Sequence, residues 1–193
     1  MLLCCHIEYD SALLARAIAL SLPERQKRAQ GIRNEHLRAA SLTAGLLLKY
    51  GLYQYGLREA DIRYTKTGKP YLADGALCFS LSHSGEYAAC AIAKGDVGVD
   101  IQKIVAVSPR AVSRVCTAAE QQYLKGSRDL RSDMIRLWAL KESWLKATGS
   151  SAAEMFNAAF MLRGDGSADG PAGFDYRLYE NIPGYILAVC ESK

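Results

Sequence analysis

Residues Val97-Gly-Val-Asp-Ile-Gln102 alternate strictly, and that alternation constrains their conformation more tightly than any other feature of the chain. Successive side chains on a strand point to opposite faces. Val97, Val99 and Ile101 therefore share one face, while Gly98, Asp100 and Gln102 share the other. Three β-branched residues at alternate positions predict a strand with that face in a core. Asp100 and Gln102 then lie about 6–7 Å apart along the backbone, near enough for their oxygens to converge on one small cation. A hard divalent ion takes oxygen ligands and keeps several waters, so one or two carboxylates suffice. The same residues also suit a plainer reading, an aspartate capping a turn at a strand end.

The stretch Trp138-Ala-Leu-Lys-Glu-Ser-Trp-Leu-Lys146 reads as a helix. Ser132 or Asp133 suits its N-cap, Lys146 falls in its last turn, and Gly149 is placed to stop it. Leu137, Leu140, Trp144 and Ala147 recur at helical spacing as an apolar stripe. Trp138, Glu142 and Lys146 follow at intervals of four on a neighbouring face. A glutamate four residues before a lysine is also a common exposed pair, worth only about 0.2–0.5 kcal/mol. Beside the Asp100 strand, however, a carboxylate and an ammonium one turn apart can hold a divalent metal against a phosphate.

Residues Thr65-Lys-Thr-Gly-Lys-Pro-Tyr71 form a basic, turn-rich loop. Leu77–Leu81 and Tyr87–Ala93 read as strands joined by a polar turn, Ser82-His83-Ser84-Gly85. Two hydroxyls, an imidazole and turn N–H groups suit phosphate oxygens, particularly with Lys69 nearby. A serine hydrolase fits less well: there is no G-x-S-x-G elbow, and Ser82 and His83 are adjacent on the chain. A hairpin turn without function is the plain alternative.

Four motifs now stand in register: Gly68-Lys69-Pro70, Phe79-Ser-Leu-Ser-His-Ser-Gly85, Val97-Gly-Val-Asp-Ile101 and Trp138-x-x-Lys-Glu-Ser-x-x-Lys146. In order and spacing the chain resembles the surfactin-type 4'-phosphopantetheinyl transferases from about residue 22 onward. That resemblance implies an α+β fold of two similar halves related by a pseudo-twofold, here residues 1–102 and 103–193, with the coenzyme in the cleft between them. It implies transfer of phosphopantetheine from coenzyme A to a serine of an acyl or peptidyl carrier protein, with Mg²⁺ as cofactor and 3',5'-ADP as product. Asp100 and Glu142 match the metal-binding carboxylates, and Glu142 also matches the candidate base for the carrier serine. Lys146 matches the lysine that approaches the pyrophosphate. Lys69 matches a lysine beside the adenine, and Ser82 and His83 match residues near the phosphates. Arg25 and Arg28, after Pro23, resemble the basic segment that receives the 3'-phosphate. In this scheme Asp100 closes the first half and Glu142 projects from the second, so pairing of the halves assembles the site.

Two departures stand out. Many relatives carry an acidic residue where this chain has Gln102, which brings an amide carbonyl to a metal but no charge. An arginine found in some relatives at the start of the Ser41–Tyr50 stretch is also missing. A catalytically degenerate homologue that only binds coenzyme A or a related nucleotide is the alternative, to which the Gln102 substitution gives slight support.

The remaining sequence adds bounds. No apolar run approaches the roughly 18 residues of a membrane helix, and Met1–His6 reads as a strand, lacking the basic start of a signal peptide. Six cysteines without CxxC spacing predict buried free thiols in a reducing cytoplasm. A net charge of +4 is compatible with coenzyme A and an acidic partner, and too small to argue for nucleic acid. Helices are expected at Ser11–Ser21, Pro23–Arg28, Glu35–Tyr55, Ser108–Leu124 and Asp133–Thr148. Strands are expected also at Leu2–Tyr9, Ile62–Thr65, Asn157–Leu162, Asp175–Tyr179 and Tyr185–Cys190. Arg110, Arg114 and Lys125, set beside Val105, Val107, Val112 and Val115, suit either docking of an acidic carrier or an amphipathic helix facing the core. A single-chain, monomeric enzyme is the form the resemblance implies.

Overall fold

The computed structural model describes residues 1–7, 9–21, 23–57, 62–64, 70–73 and 75–193, with side chains described at all of these except 11, 13, 23–25, 28, 64 and 70. Contacts divide the chain into two compact units, Met1–Lys94 and Gly95–Lys193.

The first unit runs β1 (Leu2–His6), α1 (Ser11–Leu20), α2 (Pro23–Gln30), α3 (Glu35–Gln54), β2 (Ile62–Tyr64), β3 (Pro70–Leu72), β4 (Cys78–Ser84) and β5 (Tyr87–Ala93). Its main sheet is antiparallel, in the order β1-β5-β4, and β2 pairs with β3 in a separate ribbon. Asn34 starts α3 by accepting a hydrogen bond from the Leu37 N–H, satisfying one of the helix's orphan donors. The buried side of α3 is mostly small (Ala39, Ala40, Ala44), with Leu42, Leu48 and Leu52 filling the space over the sheet.

The expected polar turn at Ser82–Gly85 is shorter than predicted. Here β4 continues through Ser84, which pairs with Tyr87, leaving only Gly85 and Glu86 to turn. Gly85 makes this possible at φ +52°, the left-handed region that two-residue hairpins require. Ser82 and His83 are consequently strand residues on opposite faces, the first buried and the second exposed.

The second unit runs β6 (Val97–Lys103), α4 (Pro109–Val115), α5 (Ala118–Lys125), α6 (Leu130–Thr148), α7 (Ala152–Asn157), β7 (Met161–Leu162), β8 (Ser167–Asp169), β9 (Phe174–Tyr179) and β10 (Tyr185–Ser192). Its sheet is antiparallel in the order β6-β10-β9-β8-β7, and α6 lies across β6 and β10. The helix seats Leu137, Leu140 and Ala147 in a core shared with Tyr176, Leu178, Ile186 and Ala188. The units therefore divide eight residues earlier than the expected 102/103 boundary. The reason is that β6 is hydrogen-bonded to β10 along its length, from Val97↔Glu191 to Lys103↔Tyr185.

Three further differences come from capping chemistry. The expected helix Ser108–Leu124 is two helices. Ser108 caps α4, Cys116 is extended (φ −95°, ψ 137°), and Thr117 opens α5 in a capping box with Glu120. Helix α6 begins three residues early because Asp129 is its cap; Asp133 instead lies in the first turn, bonded to Arg136. Ser151 and Glu154 form a second capping box that starts α7, so the strand expected over Asn157–Leu162 shrinks to Met161–Leu162.

All six cysteines are free thiols, but only Cys90, Cys116 and Cys190 are buried. Cys4 is exposed because β1 is an edge strand of its sheet.

Candidate active site on the second unit

Both faces of β6 are buried: Val97, Val99, Asp100 and Ile101 are each at most 4% exposed. The Gly98–Asp100–Gln102 face meets α6 closely. A Cβ on Gly98 would collide with the Ser143 carbonyl oxygen and come within 2.7 Å of the Ala147 backbone nitrogen. The facing positions of α6 are themselves small and buried: Ala139, Ser143 and Ala147. Glycine on the strand and small residues on the helix thus let two backbones touch. The longer side chains one helical step away, Glu142 and Lys146, are carried to the polar end of β6.

The result is a compact charged cluster. Lys146 Nζ donates to Asp100 Oδ1 at 2.6 Å and to the Val99 carbonyl at 3.2 Å. Gln102 Nε2 donates to Asp100 Oδ2 at 2.9 Å. Asp100 is 2% exposed, whereas the Lys146 side chain keeps 27% of its surface in solvent. Glu142 is half-buried, and its carboxyl is pushed above the usual carboxylate range, chiefly by burial and then by the Asp100 charge, with Lys146 pulling it back. Asp100 and Glu142 are therefore electrostatic neighbours sharing one ammonium. Two carboxylates against one lysine leave a deficit of positive charge that a hard, oxygen-seeking divalent cation would satisfy.

The sequence-predicted residues divide accordingly. Asp100, Gln102, Glu142 and Lys146 come together within the second unit. This corrects the expectation that Asp100 would belong to the first half and meet Glu142 only through pairing of the halves. Ser82 and His83 lie in the first unit. Lys69 lies outside the described residues, as do the side chains of Arg25 and Arg28, which stand on α2. Gln102 acts in this geometry as a hydrogen-bond donor to Asp100. No group of three or more His, Cys, Asp or Glu that could hold a metal ion occurs among the described residues.

A groove of about 710 Å³ opens beside Gln102. Its apolar wall includes Val105, Val107, Trp138 and Phe156, and its cationic residues are Lys103, Arg110 and Arg114. Arg114 stands over the Phe156 ring, 6.0 Å from its centroid, so its charge rests on an aromatic face. Val112 packs toward the core instead, and Lys125 ends α5 away from the groove lining.

The 4'-phosphopantetheinyl transferase superfamily profile (ACPS) matches residues 96–190, a span that contains β6, α6 and the whole cluster. The 4'-phosphopantetheinyl transferase ffp of Bacillus subtilis is 31% identical over 151 residues, which is 72% of this chain and 67% of that protein. This chain belongs to the 4'-phosphopantetheinyl transferase superfamily. The superfamily member is equally similar to the 4'-phosphopantetheinyl transferase Sfp of Bacillus subtilis, 31% identical over 71% of this chain and 66% of that one. The chain spans about two thirds of the length of these curated relatives. The crystal structure of Thermotoga maritima holo-[acyl-carrier-protein] synthase superposes with a TM-score of 0.42, at 18% identity, over 51% of this chain and 64% of that one.

Sequence reasoning passed over one structural element of this superfamily member's site, a buried ion pair just behind it. Lys141 precedes Glu142 on α6 and is fully buried, its Nζ 3.0 Å from Glu120 Oε2 and bonded to the Ala158 carbonyl. Glu120 also accepts from the N–H groups of Thr117 (2.7 Å) and Phe160 (2.8 Å). The pair ties α5 and the segment before β7 to α6, fixing the helix's rotation. The Thr117-x-x-Glu120 spacing signals a capping box, which could have found the glutamate. Nothing local marks Lys141 as buried.

Proposed function

We propose that this protein transfers 4'-phosphopantetheine from coenzyme A to a serine hydroxyl of an acyl or peptidyl carrier protein, releasing 3',5'-ADP, with Mg²⁺ required. The observation that supports this reading best is the convergence of Asp100, Glu142 and Lys146 on adjoining β6 and α6, in the segment that the superfamily profile matches. The donor set suits magnesium: Asp100 and Glu142 would hold it, and Gln102 keeps the Asp100 carboxylate in place. Bound there, the ion would neutralise diphosphate charge.

The chain's own groups account for the rest. Lys146, partly exposed at the mouth of the cluster, is placed to pair with a diphosphate oxygen and offset charge on the leaving group. Glu142, the carboxylate on the solvent-reachable side of the cluster, is proposed to take the proton of the attacking serine. Lys69, Ser82, His83, Arg25 and Arg28 are proposed contacts for the adenine and phosphates of coenzyme A. The groove lined by Arg110, Arg114 and Val107 is proposed to receive the carrier, whose acidic, apolar-patched surface complements it. A reducing cytoplasm is the proposed location, supported by six free thiols.

The test is mass spectrometry of an apo-carrier protein incubated with coenzyme A, Mg²⁺ and this protein. The carrier should gain the mass of one phosphopantetheinyl group. Asp100→Ala and Glu142→Ala should each lower turnover by at least about a thousandfold in protein that is still folded, as circular dichroism checks. An unmodified carrier despite coenzyme A binding would favour the degenerate homologue instead.

A further inference from the structure

Asp100 is engaged on both oxygens by donors of this chain. Lys146 Nζ stands 2.6 Å from Oδ1 and Gln102 Nε2 stands 2.9 Å from Oδ2. Asp100 is buried on a strand that is paired to β10 and packed under α6, so it cannot swing away. Lys146 can. Its ammonium ends a flexible four-carbon stem that retains 27% exposure, and its second bond, to the Val99 carbonyl, is a longer one at 3.2 Å. A divalent cation held by Asp100 and Glu142 needs an Asp100 oxygen, and Oδ1 is the one the ammonium uses. With a divalent cation on that oxygen, the ammonium would stand about 4 Å from a doubly positive centre, whose repulsion outweighs the attraction that Lys146 gains from the carboxylate, so the ammonium is the one displaced.

We infer that Lys146 and the divalent cation compete for the Asp100 carboxylate, so that the cation binds tightly only together with a diphosphate ligand that draws Lys146 onto itself. The inference rests on the proposed metal and coenzyme A reading and adds an order to it. Lys146 pairs with Asp100 until a diphosphate arrives, then leaves it for the more highly charged partner as the cation takes its place. Cation and diphosphate thereby strengthen each other's binding by the same factor. Gln102, which brings no charge of its own, makes the competition sharper: an acidic residue there would leave the cluster with a carboxylate in reserve.

The experiment is titration of Mn²⁺ followed by the electron paramagnetic resonance signal of the free ion, with and without coenzyme A, corrected for Mn²⁺ bound by coenzyme A alone. The native protein should bind Mn²⁺ at least about tenfold more tightly with coenzyme A present. Lys146→Met should bind Mn²⁺ at least about tenfold more tightly than the native protein without coenzyme A, and should lose most of the coenzyme A effect. Lys146→Arg, which keeps the charge, should retain the native pattern. Equal Mn²⁺ affinity in the native protein with and without coenzyme A overturns the inference whatever the variants do. So does a Lys146→Met protein that binds Mn²⁺ no more tightly than its parent. In both cases the metal reading survives if Asp100→Asn abolishes Mn²⁺ binding. Mn²⁺ binding that Asp100→Asn leaves intact removes the metal reading and the inference together.

Discussion

Glu142 carries a cost that Lys146 only partly offsets. Its carboxyl is half-buried and faces Asp100, so its proton affinity in the folded protein exceeds that in the unfolded chain. A carboxyl with a raised folded value favours the fold when protonated. That contribution is lost as pH rises from the ordinary carboxylate range through the raised value. Glu142→Gln should therefore be more stable than the parent at neutral pH and indistinguishable from it at pH values below the ordinary carboxylate range. Urea denaturation at the two pH values checks this, and a variant less stable at neutral pH would contradict it. Gln102 poses the opposite question. Gln102→Glu replaces a donor to Asp100 with a third carboxylate, which should lower the melting temperature without metal and lower the Mg²⁺ concentration for half-maximal rate. Thermal melts across a Mg²⁺ series and rates over the same series read both effects. An unchanged Mg²⁺ requirement would place Gln102 outside the metal's surroundings.

Between elements, the decisive contact is the one that has no side chain in it. Gly98 lets the backbone of α6 rest on β6, and the Asp100–Lys146 bond depends on that spacing. Gly98→Ala should push the helix outward, costing about 1–3 kcal/mol of stability. It should also lower kcat by roughly a hundredfold, since displacements near 1 Å in catalytic groups have effects of that size. Rates measured well below the melting transition separate the two effects; a stability loss with normal kcat would show that the spacing is not critical. This part of the design was half legible. Alternation put Gly98, Asp100 and Gln102 on one face, and four-residue spacing put Glu142 beside Lys146. That the two faces meet came from the family resemblance; local pattern did not show that they meet within one unit, because that depends on pairing with β10 some ninety residues away. The capping boxes at Thr117 and Ser151 were in plain sight in the sequence, yet lost to longer apolar patterns around them. A helix stop inside a continuous apolar pattern is set by side-chain-to-backbone bonds that periodicity does not register.

For the molecule as a whole, the second unit contains its own sheet, its own core and the charged cluster. Its buried anchor is the Glu120–Lys141 pair, which no pattern of hydrophobicity revealed because buried charges violate that pattern. Lys141→Met leaves the Glu120 carboxylate in the core without its cation, which should cost about 3–5 kcal/mol. Both tryptophans of the chain, Trp138 and Trp144, lie on α6. Their fluorescence during urea unfolding thus reports on this unit, and an unshifted midpoint would show the pair to be dispensable. The mixed α-and-β character expected from the sequence holds in each unit, and the strand and helix that carry the cluster fall within a few residues of their expected positions.

The pairing of β6 with β10 also governs when the cluster can exist. On a ribosome, the strand bearing Asp100 emerges long before residues 185–192, and until those appear it lacks its hydrogen-bonding neighbour. A nascent chain halted after α6 would hold every one of the four clustered side chains and still present a strand with nothing to pair against. Maturation of this centre is a late event in synthesis, timed by a segment that contributes no side chain to it.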